Sequence, residues 1–144
     1  MFAYCLCSFL LYSYLGGDIM ELKYELIRQV LLVVESKKDL RNFLDLEDIY
    51  VDIDSDRYSK DDVAYTLLKS RDAGLIDAQP IKGTELSSFM IGHLTFTGHE
   101  FLNSVADDTV WEETKSKASK LKSVTLPVLQ QLAVSIMNKQ LGLE

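Results

Sequence analysis

The stretch from Ser59 to Leu102 constrains the fold of this chain more than any other, because helix and strand signals follow one another there without a long gap. Ser59 is a typical helix N-cap residue, and Asp62 stands three positions later, which predicts a capping box. Gly74 ends the helical pattern, since glycine readily takes the positive φ of a helix C-terminus. A helix from Ser59 to Ala73 is therefore expected.

Two short strands joined by a polar loop are predicted after this helix. Leu75 to Ile81 is the first strand and Phe89 to Phe96 is the second, and residues 82–88 form the loop between them. Thr97, with Glu100 three residues later, then predicts the start of another helix.

The flanking segments are predicted to be mostly helical. Apolar residues recur at helical spacing from Leu22 to Val34, which indicates a first helix with one broad buried face. Ile49, Val51 and Ile53 alternate with polar residues, which favours a short strand. We expect a further helix from Asp108 to about Leu121 and a last one that begins near Pro127.

These elements together predict an α+β, mainly helical fold: a winged helix-turn-helix with a two-helix C-terminal extension. Residues 1–19 are expected to form a leader outside the domain, residues 20–106 the winged-helix domain, and residues 107–144 a helical extension packed on it.

The leader is apolar and uncharged from Phe2 to Leu15. It is shorter than the roughly 20 residues that a membrane-spanning helix needs, and it lacks the charged start of a secretory signal. Residues 16–20 can be encoded by a purine-rich ribosome-binding sequence followed by an ATG. We therefore expect translation to start at Met20, with a membrane anchor over residues 2–15 as the alternative.

Charge limits the partners that the protein can have. The 144 residues carry a formal charge of −7, which disfavours general affinity for nucleic acids or anionic membranes. Both cysteines, Cys5 and Cys7, lie in the leader and define neither a disulfide framework nor a zinc site. A cytoplasmic location is the expectation that fits this composition.

The helix that starts at Ser59 is the candidate DNA-reading element. Its face opposite the predicted core carries Tyr65, Thr66 and Lys69, which can reach bases or phosphates. The other candidate nucleic-acid-binding residues are Arg57, Lys60 and Lys82.

An excess of acidic residues opposes DNA binding at the same place. Between residues 45 and 62 eight acids are offset by only Arg57 and Lys60. The acids are Asp45, Glu47, Asp48, Asp52, Asp54, Asp56, Asp61 and Asp62.

No catalytic, metal or cofactor motif is identified. Asp52, Asp54 and Asp56 have the start of a calcium-loop pattern, but Arg57 stands where that loop needs glycine and Val63 where it needs glutamate. The two histidines, His93 and His99, have no nucleophile motif beside them. We therefore predict a protein that is not an enzyme, with no metal and no cofactor.

The last helix carries an apolar stripe that predicts packing against the domain and also allows a homodimer. Its spacing has the helical period. The stripe consists of Val128, Leu129, Leu132, Ala133, Ile136, Met137 and Leu141.

Several of these segments in combination resemble one known family. The matching features are the Tyr58–Leu68 pattern, Ala73-Gly74-Leu75-Ile76, the Leu94–Leu102 run and Asp107-Asp108-Thr109 followed by Trp111. Over roughly Met20 to Leu143 the chain resembles the domain of unknown function 2513 family, small proteins of bacteria and their prophages. The resemblance implies a winged-helix-like fold and a start near Met20, and it transfers no functional residue.

The sequence thus predicts a non-enzymatic DNA-binding regulator of prophage or bacterial origin. The alternative is an acidic adaptor that uses the winged helix to bind a host or phage protein.

Overall fold

The first helix lies at the centre of the fold. The computed structural model describes residues 21–80 and 89–143. Within these residues the chain forms six α-helices and a two-stranded antiparallel sheet. The fold is therefore α+β and mainly helical, as predicted. The elements are α1 (Tyr24–Lys37), α2 (Leu46–Tyr50), α3 (Lys60–Asp72), β1 (Ile76–Pro80), β2 (Phe89–Leu94), α4 (Phe96–Val105), α5 (Asp108–Ala118) and α6 (Leu126–Gln140).

Helix α1 supplies the middle of the hydrophobic core. Leu26, Val30, Leu31 and Val34 recur at helical spacing and are fully buried. Through this face α1 contacts α2, α3, α4 and β2. The first predicted helix is therefore confirmed, and most of the other elements pack around it.

The strand predicted at Ile49 to Ile53 is wrong, because residues 46–50 form the short helix α2. Asp45 accepts a hydrogen bond from the Asp48 backbone N–H at 2.9 Å, and the Asp48 carboxylate accepts one from the Asp45 N–H, also at 2.9 Å. This capping box satisfies the first amides of the helix. In a strand, Ile49, Val51 and Ile53 would lie on the same face. In the structure Val51 is 67% exposed, whereas Ile49 and Ile53 are buried.

The two strands form a hairpin with a bulge. Ile76 pairs with Leu94 and Ala78 with Ile91, so two steps along β1 match three along β2. The extra residue in β2 lets Ile91 and Leu94 both face the core despite their odd spacing. Leu44 extends the pairing as an isolated antiparallel bridge to Ile91, with N–H···O distances of 3.0 and 2.8 Å.

A tight junction joins the end of α3 to the start of α4. Gly74 has φ of 74°, as predicted for the helix end, and the Thr95 hydroxyl donates to its carbonyl. The Thr95 backbone N–H donates to the Leu75 carbonyl at 3.0 Å. Gly98 packs directly over the same carbonyl, and a Cβ at that position would lie 1.9 Å from the Leu75 oxygen.

The predicted cap at Thr97 is wrong, because Thr95 is the N-cap of α4. The Thr95 hydroxyl accepts a hydrogen bond from the Gly98 N–H at 3.0 Å. Strand β2 consequently ends at Leu94, two residues before the predicted end. The junction with Gly74 and Leu75 fixes Thr95 in extended backbone and so decides where the helix begins.

A buried arginine attaches α5 to α1. Arg28 is 7% exposed, and its Nε donates to the Val105 carbonyl at 2.7 Å. Its Nη2 donates to the Ala106 carbonyl at 2.7 Å and to the Asp108 carboxylate at 2.6 Å. The guanidinium also lies 5.8 Å from the centre of the Trp111 ring, which is buried beside it.

Glu25 forms the neighbouring polar contact between the same helices. The Trp111 Nε1 donates to its carboxylate at 2.7 Å, and Lys115 lies 3.0 Å from the same oxygen. Burial alone would raise the pKa of Glu25, but the hydrogen bonds from Trp111, Lys115 and Gln29 outweigh it, so the pKa lies below its ordinary value.

Helix α6 closes the fold against α4 and α5. Of its predicted apolar stripe, Leu129, Ala133 and Ile136 are buried, whereas Val128 and Leu141 are exposed. None of the described helices is long and apolar enough to cross a bilayer.

Replacing Gly98 by alanine is predicted to destabilise the protein by about 1–3 kcal/mol, because the added methyl group meets the Leu75 backbone rather than a side chain that can move. Urea unfolding of Gly98→Ala measures this. Asn103→Ala, at an exposed position of the same helix, is the control and should change stability by less than about 0.5 kcal/mol. Equal effects of both changes would contradict the close packing.

Replacing Arg28 by methionine is predicted to cost about 2–4 kcal/mol, since it leaves the carbonyls of Val105 and Ala106 without their charged donor. Asp108→Ala removes the arginine's exposed carboxylate partner and should cost about 1 kcal/mol or less. Thermal and urea unfolding measure both variants. A smaller loss for Arg28→Met than for Asp108→Ala would show that the buried bonds do not anchor α5.

Candidate nucleic-acid interface

Helix α3 begins with the capping box that the sequence predicts. The Ser59 hydroxyl accepts from the Asp62 N–H at 3.1 Å, and the Asp62 carboxylate accepts from the Ser59 N–H at 3.0 Å. Val63, Leu67 and Ser70 face the core. The cap at the start of α3 and Gly74 at its end set the position of the helix and of its outer face.

Tyr65 and Lys69 lie together on the outer side of α3. The Lys69 ammonium group is 5.4 Å from the centre of the Tyr65 ring, a cation–π distance, and 3.7 Å from the Asp72 carboxylate. Tyr65 is half-buried and Lys69 is exposed. The structure thus brings these two predicted site residues together, with an acid beside them.

Thr66 does not lie on the predicted exposed face. It is 1% exposed, and its hydroxyl donates to the Asp62 carbonyl one turn earlier at 2.8 Å. This bond to the preceding turn is the usual way for a threonine inside a helix to satisfy its hydroxyl. Assigning Thr66 to the interface was therefore wrong, since it lies on the same side as Val63 and Ser70.

Arg57 and Lys60 lie at the N-terminal end of α3. The Arg57 guanidinium stacks 5.5 Å from the centre of the buried Tyr58 ring. The Lys60 ammonium pairs with the Glu47 carboxylate of α2. Lys82, the remaining predicted contact, lies outside the residues that the structure describes.

Many of the nearby acids have structural partners. Asp45, Asp48 and Asp62 accept backbone N–H groups at the starts of α2 and α3, where the helix dipole also favours a negative charge. Asp52 pairs with Lys37 at 2.8 Å, and Asp62 lies 3.6 Å from Lys23. These acids stabilise the two helices, but they also place negative charge where a helix N-terminus would otherwise attract phosphate.

The two histidines stand apart from this surface. The His99 Nδ1 lies 3.7 Å from the Glu35 carboxylate, beside His93 in a small cavity of about 70 Å³. Within residues 21–80 and 89–143, no three His, Cys, Asp or Glu side chains group together to hold a metal ion.

The fold and surface define a small, mainly helical α+β protein with an outer helix, α3, that carries both acidic and basic side chains. Residues 21–125 match the family model described as "Hypothetical protein (DUF2513)", and the chain belongs to that family. An uncharacterized protein of Haemophilus influenzae is 34% identical over 124 residues, which is 85% of this chain and 100% of the relative. No solved structure matches the chain.

The region that matches the family model covers α1 to α5 and both strands. It ends at Thr125, before α6 begins. The family resemblance predicted over roughly Met20 to Leu143 is therefore confirmed.

Replacing Ser59 by alanine is predicted to destabilise the protein by about 1 kcal/mol, because it removes one half of the capping box that fixes α3. Thr125→Ala is the matched control, since Thr125 occupies the N-cap of α6 without a side-chain capping bond. Because no capping bond is lost at this exposed position, it should change the free energy of unfolding by less than about 0.5 kcal/mol. Urea unfolding compares the two variants, and equal losses would show that the Ser59 bond contributes nothing.

Proposed function

We propose that this protein is a non-enzymatic winged-helix regulator, of bacterial or prophage origin, that binds DNA through α3. The observation that carries the proposal is the bridge between Leu44 and Ile91. It makes the segment after α1 a third extended piece on the sheet, and the chain order becomes helix, strand, helix, helix, strand, strand. That order is typical of winged-helix domains, in which the third helix is the recognition helix.

The outer residues of α3 suit a limited contact with DNA. Tyr65 and Lys69 can approach a groove, while Arg57 and Lys60 stand beside it. Exposed ion pairs such as Lys60 with Glu47 contribute about 1 kcal/mol or less. The lysines can therefore exchange a carboxylate for a phosphate when DNA approaches. Lys82, in the loop that the sequence predicts between the two strands, is the fourth basic contact proposed.

Acids around α3 restrict how DNA binds. Asp61 and Asp72 lie on the described surface of the same helix, and the capping acids occupy the helix starts. DNA without a preferred sequence is consequently expected to bind weakly, because repulsion opposes the four basic contacts. A preferred sequence must add base contacts, for which Tyr65 is the best placed side chain, while Lys69 beside it contacts phosphate.

Salt dependence tests the proposal. Selection from a duplex library of random sequence should enrich a motif, and the logarithm of the binding constant should fall with the logarithm of salt concentration with a slope of about −3 to −4, for four phosphate contacts. Lys69→Glu should weaken binding and make the slope shallower by about one.

Lys120→Glu is the charge-matched control for this experiment. Lys120 is exposed after α5, so its reversal changes the net charge equally and should leave the affinity for the enriched duplex nearly unchanged. Absence of any enriched duplex at about 50 mM salt, where electrostatic binding is strong, would overturn DNA binding.

The charge of the described surface favours a second candidate, an acidic adaptor that binds a host or phage protein. Residues 45–72 hold nine acids against Arg57, Lys60, Lys69 and Arg71. A partner with a basic surface would be attracted to this region. Capture of such a partner that is lost with Asp61→Lys and kept with Glu113→Lys, together with no DNA retention, would favour the adaptor.

A further inference from the structure

Helix α6 carries a second, outward-facing stripe that packing inside the molecule does not use. Its inner stripe of Leu129, Ala133 and Ile136 is buried against the fold. The outer stripe follows the alternating spacing of four and three residues that helices use to pack side by side, and all of its members are exposed. It consists of Pro127, Gln131, Val134, Asn138 and Leu141.

The end of the helix adds a further apolar side chain to this stripe. Gly142 has φ of 71°, and the Leu143 N–H donates to the Asn138 carbonyl at 2.8 Å, which is the bonding pattern of a Schellman motif. A groove of about 520 Å³ runs along the outer side of α6 and is lined by Pro127, Gln130, Gln131, Val134, Ser135, Asn138 and Leu143. Leu141 and Leu143 are 70% and 65% exposed, so a large apolar area faces water there.

Charge identifies the occupant of this surface. The thirteen residues from Leu126 to Asn138 include no charged side chain, in a chain whose formal charge is −7. Two copies of so acidic a protein repel each other wherever their acids meet, and this repulsion is smallest where the contact is neutral. Nucleic acid and basic proteins, by contrast, gain nothing from a surface without charge.

The polar residues of the stripe also suit contact with an identical copy. In a two-fold interface each residue on the axis meets itself, so a charge there would face a like charge. Gln131 and Asn138 carry both a hydrogen-bond donor and an acceptor, so they can pair with themselves or with each other. Val134 lies at the centre of the stripe and would meet its own copy.

We propose that the outer stripe of α6 binds a second copy of this chain, forming a two-fold homodimer with Val134 at the axis. Helix α6 has 15 residues and is therefore about 22 Å long. Two such helices form an interface at the small end of the known range, below about 1,200 Å² in total. The dimer is expected to dissociate with a Kd on the order of 10 µM or weaker. It does not depend on the proposed DNA binding.

Analytical ultracentrifugation of the full chain, in reducing buffer and without DNA, tests the dimer. The wild-type protein should shift toward twice the monomer mass as its concentration rises, and added salt should strengthen the dimer by screening the repulsion. Val134→Glu should raise the Kd at least about tenfold, because it places two like charges at the axis. Val134 is 41% exposed, so the variant should keep the wild-type circular dichroism spectrum.

A charge swap makes the test specific to this axis. Val134→Glu and Val134→Lys should each be monomeric alone, and mixing them should restore a dimer, because opposite charges then face each other. Val51→Glu, a change at another exposed valine directly after α2, is the control and should dimerise as the wild type does. A wild-type chain that stays monomeric up to several hundred µM overturns the proposal. So does a dimer that survives Val134→Glu, one that is lost equally in Val51→Glu, or a mixture that does not associate.

Discussion

The packing of Gly98 against the Leu75 carbonyl is the constraint on which the rest of the structure depends. It brings the first turn of α4 onto the backbone that follows α3, and the two bonds made by Thr95 hold the same point. The ends of the hairpin are therefore fixed between two helices. Since a two-stranded hairpin is only marginally stable alone, this anchoring lets β1 pack against α3 and β2 pack against α1.

A cluster of polar side chains holds α5 against α1, as the packing of Gly98 holds the hairpin between α3 and α4. Arg28 and Glu25 lie one turn apart on α1, and their partners belong to the end of α4 and to α5. Trp111 contributes both its buried ring and its N–H to this contact. Because the pKa of Glu25 is lowered, its contribution to stability is complete above the ordinary pKa of a glutamate and is lost as the pH falls through the lowered value. The extension is consequently fixed by directional bonds in addition to apolar packing.

Local signals predicted the elements whose ends are set by their own residues. Ser59 with Asp62 and Gly74 predicted α3 correctly, because capping boxes and positive-φ glycines are local features. The alternation of apolar and polar residues from Ile49 to Ile53 predicts a strand where α2 forms instead. Asp45 and Asp48 have the spacing of a capping box, which is the local signal for that helix. The start of α4 required knowledge of a contact with Leu75, which is distant in sequence. For the candidate site, Tyr65 and Lys69 were placed correctly on the outside, but Thr66 faces inward since the core side of α3 is wider than its apolar residues indicate.

Net charge connects the two proposed surfaces. The acids that cap α2 and α3 stabilise these helices at their starts, and the same charges oppose both phosphate and a second copy of the chain. In the proposed DNA complex, a single molecule with four basic contacts would therefore bind only weakly. Dimerisation through the neutral stripe of α6 would join two DNA-binding surfaces, one from each copy. Once the first surface is bound, the second would bind at a high effective concentration. Salt acts in opposite directions on these steps, because it screens repulsion between two copies and also weakens each phosphate contact. If both proposals hold, an intermediate salt concentration would consequently favour a DNA-bound dimer most.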